Sequence, residues 1–432
     1  MKRIGITLLG AFLITEFATA SATPSDTASW DLTRCIAYAQ ENNITIKEAH
    51  LNKNSATLNL QQSKMNRLPN LSASVSQDFS HQTDFTNSTS LGLSSQVTLF
   101  DGFQQTNKIK QGKLLVEQND LIIEEAKNNI TLSLLEAYIQ ALYFHESIKT
   151  IQATIRSSEK ELEQAQAKYE SGMLAIKDVS DVKSQLAGYR YNLIKTENDY
   201  SQQVLTIKQM LELSPEQPFQ IAIPKTEQLA NTEIPDVSDV YAAAIAIMPD
   251  VNSGKQQLVI DSIDLKLAKA GYLPSLSLSA GIGTGYQSEF AGTIGTQFND
   301  GWNESVKLTL SIPIFSKYQN KTQVQSSCIN IEKSKLNLTS IYKNLYSKIE
   351  NVWKNALAYR TEIEASKAAL EAAEQSYNLT REQFNFGAVS TTELMQSQSI
   401  YISATQSYIQ TKYMAMLYEQ MLRFYQGKEI KL

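Results

Sequence analysis

The sequence is poor in residues that interrupt helices and in residues that bind metals. Its 432 residues include only 17 glycines and 9 prolines. This is below average usage and predicts long, uninterrupted helices. The histidines His50, His81 and His145 are scattered, and the two cysteines, Cys35 and Cys328, lie far apart. We therefore expect no histidine-rich metal site, no disulfide scaffold and no thiolate zinc site.

Charge of either sign is also sparse. Charged residues make up 19% of the chain, and 39 basic against 44 acidic residues give a formal charge of −5. No basic surface for nucleic acid is indicated. The glycine-rich segment 281–285 lacks the GxGxxG spacing of a phosphate loop, and no Ser/His/Asp set has a local signature. We expect neither an enzyme nor a cofactor.

The first 20 residues have the layout of a secretory signal peptide. Lys2 and Arg3 precede the apolar run 4–14, and the small residues Ala18 and Ala20 flank a threonine. Cleavage is expected after Ala20; the alternative is a cytosolic amphipathic start. No later run reaches the roughly 18 apolar residues of a membrane-spanning helix. If the exported chain enters a membrane, it must do so as strands.

One sequence pattern occurs twice along the chain. The segment 68–74 (LPNLSAS) matches 273–279 (LPSLSLS), and further on 169–172 (YESG) matches 384–387 (FNFG). The second copy has a longer Gly/Asn-rich loop between these two segments, over residues 285–303. Internal repetition of this kind indicates a duplicated structural unit.

The two predicted repeats cover residues 21–222 and 223–432, after the signal peptide at 1–20. Each is read as helix, strand, strand, long helix and helix. The predicted strands lie at about 71–80, 91–100, 275–285 and 304–315. Their alternation gives one apolar face and one small, nearly uncharged polar face over roughly ten residues. Such faces suit lipid on one side and a water-filled lumen on the other. Two soluble hairpins packed on a helical core would explain the alternation equally well.

Two helices are predicted to be unusually long. Residues 103–171 contain no proline, and the second copy repeats this stretch at about 318–386. At 1.5 Å per residue each extends about 100 Å. Apolar residues at heptad-like spacing suggest packing seams in the first of them: Leu114, Leu121, Leu132, Leu135, Tyr138 and Leu142. The opposite faces are polar but uncharged. Such faces suit helices that pack side by side around a water-filled space. The alternative is an ordinary coiled coil in solvent.

Four strands are too few to enclose a membrane barrel. About eight are needed for the smallest filled one, and unpaired edges are not tolerated in lipid. Strands in a membrane would therefore have to be shared between chains. Two chains would supply eight strands and three would supply twelve, of which only the larger number leaves obvious room for a conduit.

These features together resemble the TolC family of outer membrane efflux proteins. The resemblance rests on the duplicated layout, on the Leu-Pro dipeptide before each pair of strands, on the segment 97–103 (VTLFDGF), and on the segment 312–315 (IPIF) at the end of the second pair. It implies a mostly α-helical homotrimer. A twelve-stranded barrel in contact with outer membrane lipid would continue into a periplasmic α-helical barrel.

The same resemblance implies an exit duct rather than a pump. The duct would dock on an inner-membrane pump through a periplasmic adaptor and passively export drugs, other small molecules or secreted proteins, as in type I secretion. The competing interpretation is a non-pore periplasmic adaptor or scaffold built of coiled coils.

Two glycines and two acids are expected at the far end of the helices. Gly172 and Gly387 should mark the helix-helix turns, and Asp178 and Glu393 follow them at the start of the next helices. A carboxylate in a first turn is favoured by about 0.3–1 kcal/mol through the helix dipole, which needs no function. The resemblance implies instead that these are constricting acids. Threefold symmetry would then turn them into cation-selective rings.

Around these acids the sequence departs from the best-known family pattern. The family's tyrosine position is Phe384, the position of a latching arginine is Val389, and the second acid of the ring helix is Gln396. Lys177 lies beside the first acid and Asp181 adds a carboxylate one turn on. We therefore expect the closed aperture to be held more by helix packing than by ion pairs.

Overall fold

The computed structural model describes residues 29–81, 85–224 and 234–430. The predicted signal peptide lies outside these residues and stays a prediction. The predicted boundary between the repeats, after residue 222, lies close to the undescribed segment 225–233 and also stays a prediction.

The same series of elements occurs twice. The first series is α1 (Leu32–Asn42), α2 (Ile44–Met65), β1 (Asn70–His81), β2 (Phe85–Phe100), α3 (Gln104–Glu170) and α4 (Ile176–Met210). The second is α5 (Val237–Ile247), α6 (Pro249–Ala270), β3 (Ser275–Gln287), α7 (Ile294–Asp300), β4 (Asn303–Ser311), α8 (Gln319–Asn385) and α9 (Thr391–Tyr425). Corresponding helices have equal lengths of 11, 22, 67 and 35 residues. The predicted duplicated, mostly helical fold is confirmed, while the short α7 was not predicted.

Two strands differ in length from their sequence patterns. β2 begins at Phe85 rather than at about 91, and β4 ends at Ser311 rather than at about 315. Pro313 follows closely and has no N–H to donate to a neighbouring strand, which explains the early end of β4.

The four strands form one antiparallel sheet in the order β1-β2-β3-β4. Its register places Leu93 beside Ala73 on one side and Ile282 on the other, and Ser94 beside Ser72. The hydroxyls of Ser72 and Ser94 lie 2.9 Å apart. The apolar and small polar faces predicted from the alternation are therefore two faces of a single sheet.

The end of β2 carries a bulge that the alternation did not predict. The register shifts between Thr98 and Phe100, so that Phe100 rather than Leu99 pairs with Leu276. The chain then turns at Gly102, whose φ is +67° and whose added Cβ would lie 2.8 Å from the Cβ of Leu273. Only glycine fits this turn into α3.

The helices form two long hairpins, α3 with α4 and α8 with α9. A core at the middle of α3 is centred on Tyr138, whose Oη lies 2.9 Å from the carbonyl oxygen of Trp30 and 2.6 Å from that of Ala222. A second core surrounds Ile349 at the corresponding place in α8. None of the described helices is long and apolar enough to cross a membrane.

Apolar side chains on the two outer strands of the sheet remain exposed. Leu71 on β1 is 77% exposed and Val306 on β4 is 78% exposed. All described positions of these two strands are exposed. An exposed apolar surface of this kind marks an interaction with membrane or protein.

Candidate functional site

The far end of each hairpin is a tight turn built on one glycine. Gly172 has φ +78°, and its N–H donates to the carbonyl of Tyr169 at 2.9 Å. The N–H of Met173 donates to the carbonyl of Lys168 at 2.8 Å, which completes a Schellman motif. Gly387, with φ +74°, closes the α8–α9 turn in the same way. The structure thus places both predicted glycines at the turns.

The two predicted acids lie in the first turns of α4 and α9. The Glu393 carboxylate accepts the N–H of Ser390 at 3.0 Å, and Ser390 Oγ accepts the N–H of Glu393 at 3.2 Å. This is a reciprocal capping box. Asp178 accepts the N–H of Ala175 at 3.3 Å, but alanine has no side-chain acceptor to complete the pair. Each acid therefore caps its own helix.

Lys177 pairs with Asp181 one turn further along α4. Its Nζ lies 2.8 Å from a carboxylate oxygen of Asp181, and the lysine side chain is exposed. This hydrogen bond and the charge of Asp181 raise the pKa of Lys177, and the charge of Asp178 adds a smaller contribution. Exposed pairs of this kind contribute little to stability. Gln396 is exposed on α9.

Phe384 lies in a buried cluster rather than on an open surface. It is 2% exposed and packs with Leu394 and Tyr377, and with Leu174 from the other hairpin. The Nζ of Lys168 lies 4.1 Å from the centre of the Phe384 ring and also donates to the carbonyl oxygen of the same residue. The two hairpins therefore touch at the turns through packing and through a lysine that the sequence reasoning did not select.

Sequence reasoning also missed a buried acid above the turns. Glu161 of α3 is 5% exposed and is hydrogen-bonded by Tyr377 and Gln398 of the other hairpin. One signal was available. The buried seam of α3 passes through Ser158 and Ala165 at heptad spacing, so residue 161 faces the same interface.

Within the described ranges, no three His, Cys, Asp or Glu side chains converge as a metal site would require. The interactions found at the turns of the two hairpins (the tips) are hydrogen bonds, side-chain packing and fixed negative charge. This arrangement can hold helices together and can bias the passage of ions.

The chain matches the family model described as outer membrane efflux protein over residues 35–212 and 240–428. It is 19% identical over 385 residues to outer membrane efflux protein BepC of Brucella suis, covering 88% of this chain and 82% of that protein. It is 21% identical over 334 residues to outer membrane protein TolC of Escherichia coli, covering 76% of this chain and 67% of that protein.

Solved structures share the fold over nearly the whole chain. The outer membrane channel CmeC of Campylobacter jejuni superposes with a TM-score of 0.79 at 14% identity, covering 100% of this chain and 95% of that one. The outer membrane protein VceC of Vibrio cholerae gives a TM-score of 0.78 at 15% identity, covering 93% and 97%. Since the family model covers both halves of the chain, this protein belongs to the outer membrane efflux protein family.

Proposed function

We propose that this protein is the outer membrane exit duct of a tripartite export system. It would receive cargo from an inner-membrane pump through a periplasmic adaptor and release it passively. The observation that carries the proposal is the join between a small sheet with an exposed apolar face and two helices of 67 residues. At 1.5 Å per residue these helices extend about 100 Å away from the membrane.

The active form in this proposal is a homotrimer. Among the strands of the described residues, none lies beside the outer edges of β1 and β4. In lipid such edges must be paired. Three chains joined edge to edge would close a barrel of twelve strands, with the serine and glycine face lining the lumen and the leucine and valine face meeting lipid.

The aperture in this proposal lies at the helix turns. Around the threefold axis, Asp178 and Glu393 would each form a ring of carboxylates, flanked by Lys177, Asp181 and Gln396. Rings of acids favour cations. Their capping bonds to Ala175 and Ser390 support a fixed position for both carboxylates. The buried Phe384 supports a closed state held by packing.

The rings can be tested by measuring single-channel currents in planar bilayers. Asp178→Asn combined with Glu393→Gln should lower cation selectivity and weaken block by divalent cations, because the fixed negative charge is lost. Glu371→Gln, which removes one exposed carboxylate from the side of α8, is the matched control and should behave as the wild type. Unchanged selectivity and unchanged block in the double variant would reject the rings.

The proposed cargo is drugs, other small molecules or secreted proteins. Relatives at 22% identity carry the names cation efflux system protein CusC and alkaline protease secretion protein AprF. Deletion of the gene, followed by a screen of toxic compounds and of secreted proteins, should show which export is lost.

The second candidate is a periplasmic coiled-coil adaptor without a pore, which the long hairpins alone would also allow. The exposed apolar sheet face favours the duct. Trimers in outer-membrane fractions that shift in mobility on heating, together with channel activity, are expected for the duct. A chain that stays monomeric and dissolves without detergent would contradict it.

A further inference from the structure

Two aspartates of α6 lie one helical turn apart where this helix contacts α3. Asp261 is 7% exposed and Asp264 is half-buried. Residues three positions apart are neighbours on one side of a helix, with about 5–6 Å between their Cβ atoms. Burial, and after it the charge of Asp261, raises the pKa of Asp264, while a hydrogen bond from Gln111 lowers it. The two carboxylates therefore lie close enough to repel each other.

Amide groups are the hydrogen-bond donors that the structure gives to these acids. Nε2 of Gln257 lies 2.8 Å from Oδ1 of Asp261, and Nε2 of Gln111 on α3 donates to Oδ1 of Asp264. Gln118 on α3 donates to Oε1 of Gln257 at 3.0 Å. These bonds connect α3, from the first series of elements, with α6, from the second. A change in the charge of the acids therefore acts on the contact between the two series.

One carboxylate oxygen of the pair has no donor. Oδ2 of Asp261 is buried, and it has no hydrogen-bond partner among the residues that the structure describes. Leaving a buried, charged acceptor unpaired is unfavourable. A protonated carboxyl group has one O–H to donate. The neighbouring Asp264 can therefore supply the missing hydrogen bond when it carries a proton.

No contact with a cation offsets the negative charge of the pair. In the described parts of the chain, neither aspartate forms a salt bridge. α8 passes this part of α6 between Asn320, which bonds to Gly271, and Leu338, which lies beside Gly254. The titratable side chains on the facing parts of the three helices are all exposed: Lys108, Lys110, Lys113 and Glu117 on α3, Lys255, Lys266 and Lys269 on α6, and Lys321, Cys328, Glu332, Lys333 and Lys335 on α8.

We propose that Asp261 and Asp264 share one proton in mildly acidic conditions and thereby form an acid-strengthened joint between α3 and α6. In the protonated pair, the O–H of Asp264 donates to the unpartnered oxygen of Asp261. Two like charges are then replaced by one charge and one added hydrogen bond. Asp264 lies in the last two turns of α6, which ends at Ala270 shortly before β3. The joint therefore fastens the two series of elements together close to the sheet.

The raised pKa of Asp264 determines the direction of the pH effect. In the folded chain this group takes up a proton at a higher pH than in the unfolded chain, where an aspartate titrates at about pH 4. Between these two pKa values the folded state binds more protons, so its stability rises as the pH falls. Above the folded pKa both acids are charged and the contact is at its weakest.

Hydrogen exchange in the purified full-length protein tests the joint. After correction for the intrinsic exchange rate, protection of the α3 and α6 segments around Gln111 and Asp264 should rise about tenfold from neutral to mildly acidic pH. This is the effect of gaining one hydrogen bond to a charged group. Asp264→Asn removes the titrating group but keeps an acceptor for Gln111. Its protection at neutral pH should exceed that of the parent protein and should change little with pH.

Glu117→Gln is the matched control for this measurement. Glu117 lies on the same contact and accepts Nε2 of Gln256 at 3.0 Å, but it is exposed. Neutralising it should leave the pH dependence of the parent protein unchanged. A loss of the pH dependence in Glu117→Gln, or the same pH dependence in Asp264→Asn as in the parent protein, would show that the joint is wrong.

Infrared difference spectroscopy detects the proton itself. The parent protein should show the C=O band of a protonated carboxyl group at a pH where Asp264→Asn lacks it. Glu125, whose pKa is also raised by burial and by Asp250, contributes to both spectra and cancels in their difference. Asp261→Asn takes away the neighbouring charge and should move the appearance of the Asp264 band to lower pH. An unmoved band would contradict the sharing of one proton.

These measurements are independent of the proposed duct, since neither requires a pore. A protein that forms no pore but shows the pH dependence would retain the joint and lose the duct. A protein that forms pores but lacks both the pH dependence and the carboxyl band would retain the duct and lose the joint. Should Asp264→Asn fail to fold, Asp261→Asn carries the test through the shift of the band.

Discussion

Single residues fix the geometry of the tips, and the two turn glycines do so through their backbone alone. An added Cβ at Gly172 or Gly387 would meet no atom within 4 Å, and both residues have positive φ. Glycine is therefore needed for its conformation and not for space. Such a conformational requirement is local, so a sequence pattern can indicate it.

Gly172→Ala is expected to destabilise the α3–α4 hairpin by about 1–2 kcal/mol, the cost of a left-handed conformation for a residue with a Cβ. Gly188→Ala is the matched control, because it lies within α4 and also has open space around it. There alanine should stabilise by about 0.5–1 kcal/mol. Urea unfolding followed by circular dichroism measures both changes. Equal effects of the two substitutions would contradict the role of φ.

The two cysteines should differ sharply in reactivity. Cys35 is fully buried and Cys328 is exposed, and both are free thiols. Burial, and to a smaller degree the charge of Asp31, raises the pKa of Cys35 to about 12. Because the thiolate is the reactive form, Cys35 should stay unmodified at pH 8 in the folded protein while Cys328 reacts. Mass spectrometry after maleimide treatment counts the modified thiols, and complete labelling should appear only after unfolding.

At the scale of elements, the starts of α4 and α9 are alike in position but unequal in chemistry. α9 begins after Ser390, whose hydroxyl accepts the N–H of Glu393, whereas α4 begins after Ala175 and lacks this bond. The second hairpin therefore begins its outgoing helix with one more satisfied backbone donor than the first.

Exchanging these cap residues should shift stability in opposite directions. Ser390→Ala is expected to destabilise by about 1 kcal/mol and Ala175→Ser to stabilise by up to about 1 kcal/mol. Hydrogen exchange at the first turns of α4 and α9 measures the local effect. A loss of protection in α4 on introducing serine would show that the capping explanation is wrong.

At the scale of the whole molecule, the sheet is the element that is not stable when it is surrounded by water alone. Its register gathers the apolar residues of all four strands on one face and serines and glycines on the other. The helices below bury their seams in each other. On the outer strands β1 and β4 this apolar face stays exposed within one chain, while Leu276 and Leu278 on the inner strand β3 are half-buried. Its stability therefore depends on what surrounds it.

Neighbouring residues of β3 allow the two faces to be compared directly. Leu278 pairs with Val97 and Leu308 on the apolar face, while Ser277 pairs with Thr98 and Thr309 on the polar face. Leu278→Lys should cost about 2–4 kcal/mol near the middle of a bilayer and abolish membrane assembly. Ser277→Lys should assemble normally. The amount of heat-modifiable protein in outer-membrane fractions distinguishes them, and equal amounts would contradict the assigned faces.

Local and periodic features were set by the sequence alone. The period of two in the strands, the proline-free helices and the turn glycines follow from the conformations that neighbouring residues allow. For the same reason the duplication could be predicted, because each copy repeats the same local signals. The rings at Asp178 and Glu393 stay a prediction, since the threefold neighbours that they would require belong to other chains.

Tertiary structure alone decided the features that join distant parts of the chain. The bulge before Phe100 depends on pairing with β3, and the cluster that buries Phe384 includes Leu174 from the other hairpin. The contact between Glu161 and Tyr377 joins residues 216 positions apart. No local preference specifies such a pair, because its free energy exists only once two hairpins have packed together and removed both groups from water.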